Sequence, residues 1–213
     1  MNRRRRTIAT SRRGLTVVEL MIGIVVTALV GLGVASMLTM VADASASARD
    51  GRSALMRGNL AQNRLRTYFE PSLCVLAIDP TQGVALWLQD DTPGQTVNLL
   101  ELRIMWYDAA AGRISVERVQ FPETWTPVMV DAANITLPKT ADFFAAMLAQ
   151  RQAGYTVTDT LMESVSSFTA TGNGPALQSS DRVDVALTLT SDAGDAVPLL
   201  MTAGLPSHTE PAS

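Results

Sequence analysis

The chain has 213 residues, with 17 Lys+Arg against 20 Asp+Glu and a formal charge of −3. Its single cysteine, Cys74, excludes an internal disulfide. Its single histidine, His208, excludes a histidine-based zinc cluster and argues against a Ser-His-Asp triad.

Six arginines (Arg3, Arg4, Arg5, Arg6, Arg12 and Arg13) precede Gly14, and from Leu15 to Ala42 the only charge is Glu19. About 20 such residues, rising about 1.5 Å each, are enough to cross the hydrocarbon core of a bilayer. The arginine block predicts a cytoplasmic N-terminus and sends everything past Ala42 to the other side. A lone carboxylate in an apolar helix costs about 2.5 kcal/mol or more unless it finds a partner, which makes Glu19 a candidate functional residue. A secretory signal is the simpler alternative, and Ala44-Ser45-Ala46 would serve as its cleavage site. The apolar run is, however, about twice the length of such a signal. Ser11-Arg12-Arg13-Gly14-Leu15 also partly matches a twin-arginine address.

The basic leader, Gly14, the apolar residue after it and Glu19 five places on resemble the processing site of type IV prepilins and type II secretion pseudopilins. The resemblance implies that a membrane prepilin peptidase cuts between Gly14 and Leu15. Leu15 then becomes the N-methylated first residue and Glu19 the fifth, a residue used in assembly. Leu15 stands where the family usually has Phe, and Ser36 where major pilins often carry a kinking proline; Gly31 and Gly33 nearby are the helix-loosening residues here. Removing six arginines leaves 11 Lys+Arg against 20 Asp+Glu, a formal charge of −9. So acidic a body repels a phosphate backbone and argues against nucleic-acid binding.

The predicted elements follow in order. Residues 1–14 are a cleaved leader, 15–42 the transmembrane half of a helix, and 43–70 its amphipathic continuation. Ala54, Leu55, Gly58, Ala61, Leu65, Tyr68 and Phe69 make an apolar stripe at three- and four-residue spacing, with Arg49, Arg52, Arg57, Asn63, Arg64 and Arg66 largely off it. Pro71 ends the helix near Glu70. Residues 71–204 read as an antiparallel β domain. Cys74 reads as a small buried apolar residue and Val84–Leu88 as a short apolar run. Leu100, Leu102, Ile104 and Trp106 alternate with Glu101, Arg103, Met105 and Tyr107, the period of a half-buried strand. Asp108–Gly112 turns the chain into a returning strand, Arg113–Phe121, with a bulge expected near Glu117-Arg118. Residues 122–138 read as irregular. Residues 142–152 read as a short helix burying Phe143, Phe144, Met147 and Leu148, stopped by Gly154. One strand is expected near Met162–Thr169, then a turn at Gly172–Pro175. The alternating strand Val183–Leu189 follows, then a turn at Ser191–Asp195 and an edge strand Val197–Ala203 marked by Pro198. Residues 205–213 are expected to form a flexible tail, with His208 solvated.

The predicted fold class is therefore α+β, a long N-terminal helix packed on an antiparallel β-sheet. The order of elements resembles the minor pseudopilins of the J class and the W-type minor pilins, so the resemblance implies a pilin-like fold. Asp90-Asp91 and Asp192/Asp195 are the loop acids in which a calcium ion is conceivable. Neither matches the spaced acids of a calcium loop, so they read as turn residues. Thr171-Gly-Asn-Gly174 lacks the lysine of a phosphate loop. The residues give no catalytic, cofactor or metal site.

The resemblance implies a non-enzymatic minor pseudopilin of a type II secretion pseudopilus, a subunit of its tip or initiation complex that supports protein export. It would be a single-pass inner-membrane protein with a periplasmic C-terminal domain. Implied partners are the prepilin peptidase, other minor and major pseudopilins and the inner-membrane assembly platform. A minor pilin of a type IV pilus is the alternative in the same class. A membrane-anchored exported binding module that does not polymerise is the alternative from another.

Overall fold

The computed structural model describes residues 16–91, 94–191 and 194–212, with 46–51, 54 and 55 described by backbone only. Two compact units divide between Arg49 and Asp50. The first helix, α1, is Val17–Phe69. In the first unit its stretch Val17–Ser45 has a mean hydropathy of 2.4 with none of that window buried, long and apolar enough to cross a membrane. Its 29 residues span about 44 Å at helical rise, more than the roughly 30 Å of hydrocarbon.

The second unit contains the β structure. β1 (Cys74–Asp79), β2 (Gly83–Trp87), β4 (Leu102–Asp108), β5 (Arg113–Val119) and β7 (Thr156–Glu163) form an antiparallel sheet in the order β1-β2-β4-β5-β7. β8 (Val165–Gly172), β9 (Arg182–Thr190) and β10 (Ala196–Gly204) form a second sheet in the order β10-β9-β8, and β3 (Val97–Asn98) pairs with β6 (Thr136–Leu137). Two short helices complete the unit, α2 (Pro127–Ala133) and α3 (Phe143–Gln152). The class is α+β.

Alternation along the strands builds two cores, one on each face of the larger sheet. On β2, Val84 and Leu86 join Ala61, Leu65 and Phe69 of α1 and Val183, Val185 and Leu187 of β9. The other two β2 side chains, Ala85 and Trp87, face Phe143, Phe144 and Met147 of α3, together with Leu102 and Ile104 of β4. Each fully buried Leu or Phe contributes about 1.5–3 kcal/mol. Two devices fix the ends. Asp142 Oδ1 accepts from Ala145 N (2.9 Å) as the N-cap of α3. Gly83 opens β2 at φ +129°, where a Cβ would lie 1.9 Å from the Met105 carbonyl oxygen.

The stripe on α1 is buried at Gly58, Ala61, Leu65 and Phe69, and Tyr68 is half-buried. The alternation of β9 and the edge position of β10 also match expectation. Other expectations fail. β4 is covered on both faces, because Met105 turns to α1's core while Leu102 and Ile104 turn to α3's. Leu99–Glu101 is a 3-10 turn, not strand. β5 pairs with β4 without a break; its irregularity lies between Ile114 and Ser115 against β7. The phase change at Glu117 has another cause, since this residue is buried in an ion pair. The region 122–138 contains α2, started by Thr126 as N-cap and Pro127 behind it. The single strand near Met162–Thr169 is two strands in different sheets, divided at Ser164 with φ +61°. Leu148 is half-buried, not buried.

The end of the chain is tied down where a flexible tail is expected. Leu205 is buried and its N donates to Asp181 O (2.7 Å), Thr209 N donates to Leu73 O (3.0 Å), and Ala212 N to Gln95 O (2.6 Å). His208 Nε2 lies 3.0 Å from Gln178 O, so this side chain is docked and not solvated.

Candidate functional site

Of the three residues expected to carry function, Gly14 and Leu15 lie outside the described residues, and Glu19 lies in the first turn of α1. Thr16 stands just before the helix and Glu19 three places on, and the two cap each other. Thr16 N donates to Glu19 Oε2 (2.9 Å), Thr16 Oγ1 donates to the same oxygen (3.0 Å), and Glu19 N donates to Thr16 Oγ1 (3.3 Å). This is a capping box, in which two orphan donors of a helix start are satisfied reciprocally. The sequence carries the signature of this box, Thr16-Val17-Val18-Glu19, and the same carboxylate that stands out as a lone charge is also the cap. Among the described residues Oε1 accepts no hydrogen bond, and no cation of this helix lies between Thr16 and Asp43.

Behind Glu19 the helix is small along one row. Gly23, Thr27, Gly31, Ala35 and Thr39 follow it at four-residue spacing. Hydroxyls on this segment are satisfied within the helix: Thr27 Oγ1 donates to Gly23 O (2.7 Å), Ser36 Oγ to Gly33 O (2.8 Å) and Thr39 Oγ1 to Ser36 O (2.8 Å). Such internal pairing is what an apolar solvent demands of a polar side chain.

Comparison with family models, curated proteins and solved structures finds no match to this chain.

In the second unit two buried carboxylates were not anticipated. Glu101 is 1% exposed; its Oε2 accepts from Trp87 Nε1 (3.0 Å) and Asn98 N (3.1 Å), and its Oε1 from Asp91 N (3.0 Å). It organises the turn that carries Asp90-Asp91, where calcium was the other candidate reading. Glu117 is fully buried and forked by Arg151, with Nε to Oε1 at 2.8 Å and Nη2 to Oε2 at 2.5 Å, while Trp106 Nε1 donates to Oε2 (2.6 Å). Burial works against its charge. Hydrogen bonds from Arg151, Thr156 and Trp106 outweigh that and hold its carboxyl below the usual range. Arg151 caps the pair by lying 4.8 Å over the Trp106 ring. With Arg151 on α3 and Glu117 and Trp106 on the larger sheet, the cluster reads as a structural clasp between α3 and the sheet.

Burial, and after it the nearby Glu210 carboxylate, pushes the Cys74 thiol up to about 12, far from a reactive thiolate. Asp192 lies outside the described residues, and Asp195 N caps the turn by donating to Ser191 Oγ (2.9 Å). Among the described residues no three His, Cys, Asp or Glu side chains come together as a metal-ligand group.

Proposed function

We propose that this chain is a membrane-anchored structural subunit of the pilin type, a minor pseudopilin of a type II secretion pseudopilus. In this reading the peptidase cuts after Gly14 and methylates Leu15, the helix from Leu15 crosses the inner membrane, and the acidic body lies in the periplasm. A type IV pilus minor pilin is the same physical object in a different filament. Its partners are the peptidase, the neighbouring pilin-type subunits and the membrane platform that assembles them.

One observation carries the reading. A single carboxylate sits one turn behind the helix start in an apolar segment that buries none of its own surface. A carboxylate held in hydrocarbon needs neutralisation, and the cap from Thr16 occupies only one of its two oxygens. The free amino group created at Leu15, on this chain or an adjoining one, is the cation at a suitable depth. Pairing Glu19 with a neighbour's N-terminus registers one subunit against the next.

The reading is tested by Glu19→Ala. The variant should be cleaved normally and stay in the membrane, yet be lost from assembled filaments when cross-links between N-terminal helices are counted. Loss of at least one helix cap costs about 1 kcal/mol in the variant as well. Glu19→Gln, which keeps a capping acceptor, therefore separates the two effects. Equal cross-linking in wild type, Glu19→Ala and Glu19→Gln would show that the charge does no assembly work.

A further inference from the structure

The cover that α3 gives the larger sheet stops short of one end. Strand register sets Gly83, Trp106, Ser115 and Thr160 side by side in one row across β2, β4, β5 and β7. Residues two apart on a strand share a face, so Ser115 lies on the same side as Glu117, where Arg151 docks. Gly83 adds no side chain to the row. What remains is an open cleft of about 700 Å³, with Arg151 as its wall from α3. Asp108 and Arg113, paired at 3.6 Å, stand at the end of the β4–β5 hairpin as another wall.

Several lining groups still have hydrogen bonds to make. Ser115 is 9% exposed, and its hydroxyl makes no hydrogen bond among the described residues. No fully buried polar side-chain atom among them lacks a partner, so this hydroxyl is reached through the cleft. Thr158 and Thr160, on the neighbouring strand, are exposed, and their hydroxyls make no hydrogen bond among the described residues either. Arg151 uses Nε and Nη2 on Glu117, which leaves the donors of Nη1 for the cleft. The fork and the Trp106 ring beneath it hold that guanidinium in place before any ligand arrives. Trp106 also gives the cleft an apolar wall.

We propose that this cleft binds a neutral sugar, a mono- or disaccharide. Its two arginines are matched by Glu117 and Asp108, so an ionic ligand gains little net attraction there. A sugar hydroxyl both donates and accepts, as Ser and Thr do, and needs no charge of its own. Opposed residues on paired strands have Cβ atoms about 4.5–5.5 Å apart, so Ser115 and Thr160 hold two hydroxyls of one ring. Arg151 Nη1 donates to a third, and the C–H groups of the ring rest against Trp106. The cleft is within the roughly 300–1,000 Å³ of ligand sites, and its polar lining suits a polar ligand. The inference goes beyond the filament reading and does not depend on it, because the cleft lies wholly in the second unit.

The test uses the full chain in micelles of a polyoxyethylene detergent, which carries no sugar headgroup to compete. Glucose, galactose, N-acetylglucosamine, maltose and cellobiose are screened by saturation-transfer NMR, and those that bind are titrated by calorimetry. At least one should bind with a Kd of about 1 mM or tighter. Ser115→Ala/Thr160→Val removes two hydroxyls and keeps the shape, and should weaken that binding about tenfold. Thr160→Val alone, at an exposed site, should weaken it as well and keeps the test decisive if the double variant does not fold. Thr169→Val, on the smaller sheet, should leave it unchanged. Absence of binding by all five sugars at about 10 mM, tighter binding of glucuronate or inorganic phosphate than of any neutral sugar, or binding unaltered in the folded cleft variants would each overturn the proposal.

Discussion

Replacing Arg151 with Met removes the cation that forks Glu117 but keeps an apolar stem over Trp106. Glu117 would then be left fully buried with Trp106 Nε1 and Thr156 as its remaining donors. Breaking a buried pair by removing one partner costs about 3–5 kcal/mol, but the Arg151 side chain is 45% exposed, and solvent screening lowers the expected cost to about 2 kcal/mol. For a unit of this size that is a fall in Tm of about 4–8 °C. The pH dependence identifies the cause. The folded-state value of Glu117 is depressed, so its contribution is present above the unfolded value and is lost as pH falls through the folded one. In the variant the carboxyl stays buried with its strongest donor gone, and protonation relieves it. The gap between wild type and Arg151→Met should therefore be widest near neutral pH and close toward about pH 3, below the ordinary Glu value. Urea unfolding of the full chain in detergent, followed by tryptophan fluorescence across that range, measures this. A gap of the same size at every pH would mean lost packing, and would refute the ion-pair argument.

Leu65→Ala should cost about 2–5 kcal/mol, since Leu65 is fully buried between the two sheets, whereas Leu60→Ala, at a half-exposed site one turn earlier, should stay within about 0.5 kcal/mol; chemical denaturation of both variants checks the pair. Gly83→Ala should prevent normal pairing of β2 with β4, because its Cβ would meet the Met105 carbonyl at 1.9 Å in a backbone with φ +129°, and loss of cooperative unfolding would report it.

The elements legible in the sequence were those with one dominant period. The stripe through Ala61, Leu65 and Phe69 and the alternation of β9 each answer to a single neighbouring surface, and the run Val17–Ser45 stands out by its apolar length alone. Legibility failed where two surfaces compete. β4 packs on both faces, so its pattern is not the simple alternation of a half-buried strand. Glu117 and Glu101 were invisible as buried residues because their burial depends on partners 34 and 14 positions away, Arg151 and Trp87. The break at Ser164, which divides β7 from β8, is a backbone choice with φ +61° that no glycine announces. The tail was misread because its polar composition was weighed without the carbonyls of Leu73 and Gln95 that receive it. At the candidate site, Glu19 was found by its isolation in an apolar run, while its cap from Thr16 needed the helix start to be placed.

The central claim is that the N-terminal helix belongs to a processed pilin-type subunit, and intact mass tests it most directly. The full chain, expressed with and without a prepilin peptidase and extracted from membranes, is measured by mass spectrometry. The account predicts that the peptidase alone converts the precursor to a chain beginning at Leu15 with one added methyl group, and that a bulky residue at position 14 blocks the conversion. A mature chain beginning near Ser45 or Ser47, or a mass unchanged by the peptidase, would contradict it.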